Sequence, residues 1–144
     1  MAMDRNYNVV FENRVDFPFW EGLGQGVVRM QRCDKCSKWI WPAEWRCGEC
    51  GSWDLHWEEV EGTGTVNAWE RTHYNFVPAF KDMLPYVNVL VELPHAGKVK
   101  LVGVLLEPSA GVKIGAPVIA DIQPASEKTH NLPALWWRLA GGAS

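Results

Sequence analysis

The sequence predicts a mainly β protein, with a short helix near its start, a cysteine-held ribbon in its middle and a small closed barrel after it. Three observations carry that prediction. The four cysteines are confined to residues 33–50 as two Cys-x-x-Cys pairs, later runs alternate apolar and polar residues, and Gly and Pro punctuate those runs. The chain has 144 residues, the size of one ordinary domain or of two small modules sharing an interface. Its 47% hydrophobic and 22% charged residues are the balance of a chain that folds. With 14 Lys and Arg against 17 Asp and Glu, the formal charge is -3, so no basic surplus exists to neutralise a phosphate backbone. Nucleic acid is therefore not expected as the main partner. The polar start, Met1 to Asn8, has no signal-peptide core, and the longest apolar run, Leu101 to Leu106, falls far short of the ~20 residues that span a bilayer. A cytoplasmic protein with reduced thiols and no membrane contact is expected.

Residues 1–29 read as an N-terminal arm and a short helix. The first dozen residues show no period and suggest an extended arm, while Asp16 and Pro18 are placed to cap and start a helical turn that Gly22, Gly24 and Gly26 keep short. Val27 to Arg32 alternates as a strand entering the first cysteine pair, and Trp39 to Pro42 would return from it. The ribbon then occupies 30–60, with Glu58, Glu59 and Glu61 read as a solvated acidic linker. From 61 to 144 a barrel with a C-terminal tail is expected. Its candidate strands are Gly64 to Asn75, Tyr86 to Leu93, Lys98 to Glu107 and Pro117 to Gln123, separated by Pro78, Pro85, Pro94 to Gly97 and Pro108 to Gly111. Val87, Val89, Val91 and Leu93 share one face, whereas the third run is apolar on both faces and so reads as covered on both sides. Roughly five twisted strands in about eighty residues suit an OB-like Greek-key barrel, with an SH3-like barrel as the alternative.

Cys33, Cys36, Cys47 and Cys50 form two knuckles whose short internal spacing lets paired thiolates converge on one ion, completing a tetrahedral sulfur shell. A reducing compartment argues against disulfides, and a redox Cys-x-x-Cys would call for a βαβ context that is absent. Zinc and iron both suit four thiolates, zinc being the default of a closed structural site. Such a shell has no open position for a reactive water, so its work is to fold a ribbon too small to stand on its own core.

Nine Trp outnumber the five Phe and three Tyr together, and six of them lie between Trp39 and Trp69. Indoles suit cores and also the walls of apolar sites and interfaces. The sequence holds no nucleophile elbow, phosphate loop or dinucleotide fingerprint. His56, His73, His95 and His130 are scattered, and His73 with Tyr74 reads as a packed or surface pair before an acid–base one.

Phe19-Trp-Glu-Gly22, Gln31-Arg-Cys-Asp-Lys-Cys36, Cys47-Gly-Glu-Cys-Gly-Ser52, Gly62-Thr-Gly-Thr-Val66, Pro78-Ala-Phe80, Leu84-Pro-Tyr86 and Ile114-Gly-Ala-Pro-Val118 occur in that order. Over about residues 17 to 123 the chain thereby resembles the acyl-CoA-associated family with a rubredoxin-like zinc ribbon and an OB-fold, known as domain-of-unknown-function thirty-five. The resemblance implies a structural zinc and a small, non-catalytic subunit. Its partner would be a thiolase-like enzyme, in a hetero-oligomer such as a heterotetramer, as in steroid side-chain aldolases, polyketide-type acyltransferases and archaeal thiolase assemblies. The complex would act on a coenzyme A thioester by retro-aldol or Claisen chemistry, and the Trp-rich ribbon hints at a bulky acyl group such as a steroid side chain. On this reading Trp39, Trp41, Phe80 and Tyr86 would contact partner or acyl chain, and Lys81, Lys98 and Lys100 would meet coenzyme A phosphates. Two other classes stay open: a single-stranded nucleic-acid-binding OB module, and a rubredoxin-like electron carrier.

Overall fold

The computed structural model describes residues 13–106, 111–129 and 131–141. The expected extended arm, most of the Pro108 to Gly111 turn and His130 lie outside the described residues. A helix α1, Phe17–Gly24, leads into a three-stranded antiparallel sheet of β1 (Val28–Cys33), β2 (Trp39–Ile40) and β3 (Leu55–Val60), in the order β2-β1-β3. A closed barrel follows, built from β4 (Thr63–Thr72), β5 (Tyr86–Leu93), β6 (Val99–Leu105), β7 (Pro117–Gln123) and β8 (Ala134–Leu139) in the order β4-β5-β6-β8-β7. Consecutive strands pair antiparallel except where β6 meets β8 in parallel, the connectivity of an OB barrel.

The alternation read in β5 is realised in full: Val87, Val89, Val91 and Leu93 are wholly buried and face the barrel interior. Leu101 and Leu105 of β6, Val66, Val118, Leu135 and Trp137 complete that core. Closure brings β6 and β8 close together at Gly103, where an added Cβ would collide with the Leu135 carbonyl oxygen and lie 2.8 Å from the Trp137 ring. Only glycine fits there.

Four sequence expectations are corrected. Residues 58–60 do not form a solvated linker: they belong to β3, which pairs with β1 along its whole length from Val28↔Val60 to Cys33↔Leu55. Ala134–Leu139 is no tail but the strand that closes the barrel. The outer face of β6 is not fully covered, because Val102 is 68% exposed. Asp16 stands at the helix N-cap position without capping the backbone; its carboxylate accepts from Trp20 Nε1 at 3.2 Å instead.

Phe19 and Leu23 of α1 and Val28 and Met30 of β1 are buried in the same cluster as the barrel core. The inner half of the ribbon and the barrel are therefore packed together, which fixes the orientation of the site between them.

Candidate functional site

The metal centre is formed at the far end of β1. Its four Sγ atoms lie within 4.8 Å of one another, with Cys33 to Cys50 and Cys36 to Cys47 each at 3.6 Å. Both knuckles share one backbone design. Ser37 N–H donates to the Cys33 carbonyl at 3.1 Å and Gly51 N–H to the Cys47 carbonyl at 2.9 Å, with φ near +62° at Ser37 and +77° at Gly51. This turn aims N–H groups at sulfur. The Cys50 and Glu49 N–H groups hold the Cys47 thiol down at about 6, and the Cys36 and Lys35 N–H groups lower Cys33. Cys36 also receives the Lys38 N–H, yet burial and the neighbouring thiols Cys47, Cys50 and Cys33 push it up to about 12. Four thiols so crowded favour exchanging protons for a divalent cation. The donor set fits a closed tetrahedral zinc site, and the residues that would hold the ion are the four predicted from spacing.

A second feature lies between the modules. A cleft of about 400 Å³ is walled by Phe19, Trp20 and Leu23 of α1, Trp41 of the ribbon, Phe80 of a 3-10 turn, the β6 segment from Leu101 to Val104, and Leu132 to Trp136 at the start of β8. Its walls are mostly apolar and aromatic, with Asn88 and Thr129 as polar exceptions. Phe19 and Trp41 rings sit 4.6 Å apart and Phe19 and Trp20 meet edge-on at 5.4 Å, so the helix end of the cleft is one interlocked aromatic group. The Asp16 carboxylate holds the Trp20 indole in that position. Asn88 is occupied by its own hydrogen bond, donated to Glu70 at 2.5 Å.

The sequence-predicted contact residues divide. Trp41 and Phe80 line the cleft. Tyr86 is buried at 7% exposure and packs edge-on against Phe80 at 5.6 Å, supporting the wall from behind. Trp39 lies elsewhere, against Gly97 and beneath the Arg32 guanidinium at 4.6 Å. Lys81 precedes β5 while Lys98 and Lys100 follow it, so the length of that strand, roughly 25 Å, separates them. Lys100 also pairs with Glu92 at 3.8 Å. His73 and Tyr74 are exposed, and Tyr74 packs against Phe76 with the rings tilted by 60° and 4.8 Å apart, outside the cleft. Sequence reading missed Phe19, Trp20 and Trp136 as wall residues; the signal available was the aromatic Phe17-Pro-Phe-Trp20 run at a helix start.

His56 acquires a setting that sequence did not suggest. On β3 its Nδ1 meets the Asp34 carboxylate and its Nε2 the Glu58 carboxylate at 3.1 Å, while Arg32 donates to Glu58 at 3.2 Å. Partial burial works against the charged ring, but the hydrogen bonds to Glu58 and Asp34 outweigh it and raise His56; the same contact, helped by Arg32, lowers Glu58. No helix among the described residues is long and apolar enough to cross a membrane.

Comparison with known proteins also finds a ribbon followed by an OB-fold. Residues 20–56 match the family described as the ChsH2 rubredoxin-like zinc ribbon domain, and residues 57–123 match the ChsH2 C-terminal OB-fold domain. A chain of the Ltp2–ChsH2(DUF35) aldolase superposes with a TM-score of 0.77 at 32% identity, covering 89% of this chain and 96% of that one. A DUF35 protein of unknown function from Sulfolobus solfataricus shares the fold at a TM-score of 0.60 and 18% identity, over 93% of this chain and 90% of its own. A probable enoyl-CoA hydratase alpha subunit of Thermomonospora curvata is 36% identical over 109 residues. That match takes in 74% of this chain, which spans about a third (33%) of the relative's length. From ribbon, barrel and matched sequence together, the chain belongs to the DUF35 family, in its ChsH2-type form of a zinc ribbon followed by an OB-fold.

Proposed function

We propose that this chain is a non-catalytic accessory subunit of a thiolase-like enzyme in a cytoplasmic hetero-oligomer, and that it helps enclose the acyl part of a coenzyme A thioester during C–C bond chemistry. The observation that carries the reading is the apolar cleft, built jointly by helix, ribbon and barrel. Its walls offer aromatic and aliphatic surface with neither a thiol nor a histidine, so it is equipped to hold a hydrophobic group and not to attack one. The cysteines are gathered at the metal centre, where a closed sulfur shell would generate no nucleophilic water. Similarity to a chain of an aldolase, and to a subunit of a probable hydratase, supports a place in a complex. Retro-aldol or Claisen chemistry on a bulky acyl group such as a steroid side chain is the proposed setting, with the reacting groups supplied by the partner.

Isolation of the native assembly tests this. The expected result is co-elution with a thiolase-like polypeptide in fixed ratio, thioester turnover by the complex, and none by this chain alone. A chain that elutes free of any such companion, or that turns over acyl thioesters unaided, would overturn the reading.

A further inference from the structure

The apolar cleft has a neighbour at Trp136. A second, more polar chamber of about 270 Å³ lies beyond it, lined by Ala79, Asp82, Met83, Gln123, Ser126 and Lys128. The two chambers share Phe80, Thr129 and Trp136 as their common wall. A ligand lying across that wall meets two chemistries in sequence. On one side only its apolar part is welcome, since a charge or an unpaired polar group brought there would lose its water without gaining a partner. On the other, hydrogen-bonding groups are at hand, but of mixed sign: Asp82 opposes an anionic head and Lys128 a cationic one. An uncharged head with donors and acceptors avoids both conflicts.

Size sets a further limit. Allowing about 30 Å³ per methylene-sized group, as for a water molecule, the outer cleft holds an apolar body on the order of a dozen carbon atoms. Its floor includes Ala134, a small side chain on the outer face of β8 between Pro133 and Leu135, and its rim includes the exposed Val102. Larger side chains at either place would occupy the space that the ligand needs.

We infer that the two chambers form one binding site for an amphipathic acyl ligand, with a body of about a dozen carbons between α1, Trp41 and β6, and an uncharged amide- or ester-bearing segment beyond Trp136 and Phe80. This deepens the acyl-enclosing reading above and rests on it for the thioester nature of the head; the site itself belongs to this chain and needs no partner to form.

The test uses the full, metal-loaded chain alone, titrated with dodecanoyl-N-acetylcysteamine thioester, its hexanoyl analogue and dodecanoate, followed by calorimetry and by Trp fluorescence. The dodecanoyl thioester is expected to bind at least about tenfold more tightly than either of the others, since the hexanoyl analogue buries fewer methylenes in the cleft and dodecanoate replaces the amide-bearing segment of the second chamber with a carboxylate that must give up its water there. Ala134→Phe and Val102→Trp should each weaken binding at least about tenfold with unchanged circular dichroism, while Ile114→Phe, at an exposed residue outside both linings, leaves it unchanged. Equal binding of the hexanoyl and dodecanoyl thioesters, equal binding of dodecanoate, or indifference to both filling substitutions would overturn the inference. A chain that binds the thioester but never associates with a thiolase-like subunit sinks the accessory-subunit reading and leaves the site standing. A chain that associates and binds none of the three ligands sinks the site and leaves that reading intact, the cleft then being filled by the partner.

Discussion

The two ends of the ribbon are held by different physics. At its inner end Val28 and Met30 are buried in the same cluster as the barrel and α1, a core of eighteen buried residues among those described. At its outer end the buried cluster is Cys33, Ile40 and Cys47, with Leu55 packed against it, and two of those three are thiols. Burying one isoleucine yields about 2–3 kcal/mol, while ordering the knuckle backbone costs about 1–2 kcal/mol per residue, so apolar burial cannot hold that end. A metal ion can: structural zinc supplies on the order of 10 kcal/mol or more in isolated ribbons and fingers. The barrel needs no ion, and so the molecule should come apart in two stages along β1 and not as one unit.

Metal removal is the largest perturbation and should separate those stages. Chelation, or Cys33→Ser with Cys47→Ser, is expected to abolish hydrogen-exchange protection at Ser37, Cys47 and Gly51 while the β5 and β6 amides keep theirs. Simultaneous loss of protection in both regions would show that the ribbon and barrel are one cooperative unit. Metal analysis of the untreated protein belongs with it: a colourless protein with one zinc per chain excludes the electron-carrier alternative, whereas a red, reversibly reducible protein supports it.

The converse experiment strikes the barrel. Leu101 is 1% exposed in the middle of the core, and Leu101→Ala should cost about 3 kcal/mol, reading out as a fall in the denaturant midpoint of the barrel. Because the outer knuckles do not pack on Leu101, metal affinity should be unchanged while the barrel stays folded. Gly103→Ala acts on the same module by a different route, forcing β6 away from the Leu135 carbonyl and the Trp137 ring. A loss of about 2 kcal/mol is expected, with no change in metal content; a neutral substitution would mean that the β6–β8 closure is looser than the contacts at Gly103 indicate.

The same contrast explains what could be read from sequence. The metal ligands were legible because a knuckle is local: its chemistry is written in a two-residue gap, repeated once. β5 and β7 were legible because each is bounded by proline or turn residues and β5 alternates cleanly. β8 was not, since Leu135, Trp136 and Trp137 are all apolar although Trp137 faces the core and Trp136 the cleft. Its period was hidden by the apolar cleft wall on the far side. β3 was obscured for the opposite reason: no residue along it is fully buried, and Glu58 and Glu59 read as solvent-facing chain when their backbone was paired with β1 throughout. Of the cleft only Trp41 and Phe80 were named in advance, because its other walls come from α1 near one end of the chain and β8 near the other, and only the barrel closure makes them neighbours.

The smallest effect sharpens the comparison at the ribbon itself. His56 lies between Asp34 and Glu58, with Arg32 on the far side of Glu58, and this partly exposed network ties β3 to the first knuckle. The carboxylates raise the His56 pKa in the folded chain above the ordinary value of about 6.5. A raised folded value means that the protonated ring stabilises the fold at low pH, in full below about 6.5, and that this contribution disappears as pH rises through the folded pKa. The thiolates respond in the opposite sense, since metal affinity grows as protons leave sulfur, so the wild-type profile alone would conflate the two. Comparing it with His56→Gln at fixed metal concentration isolates the imidazole. The variant should be less stable than the wild type on the acid side of neutrality, and the gap should close at alkaline pH, with the change confined to exchange protection in β3 and the first knuckle. Because the network is exposed to solvent, 0.5 M salt should narrow the gap. A gap that persists unchanged above pH 8 would show that His56 acts through packing and not through its charge.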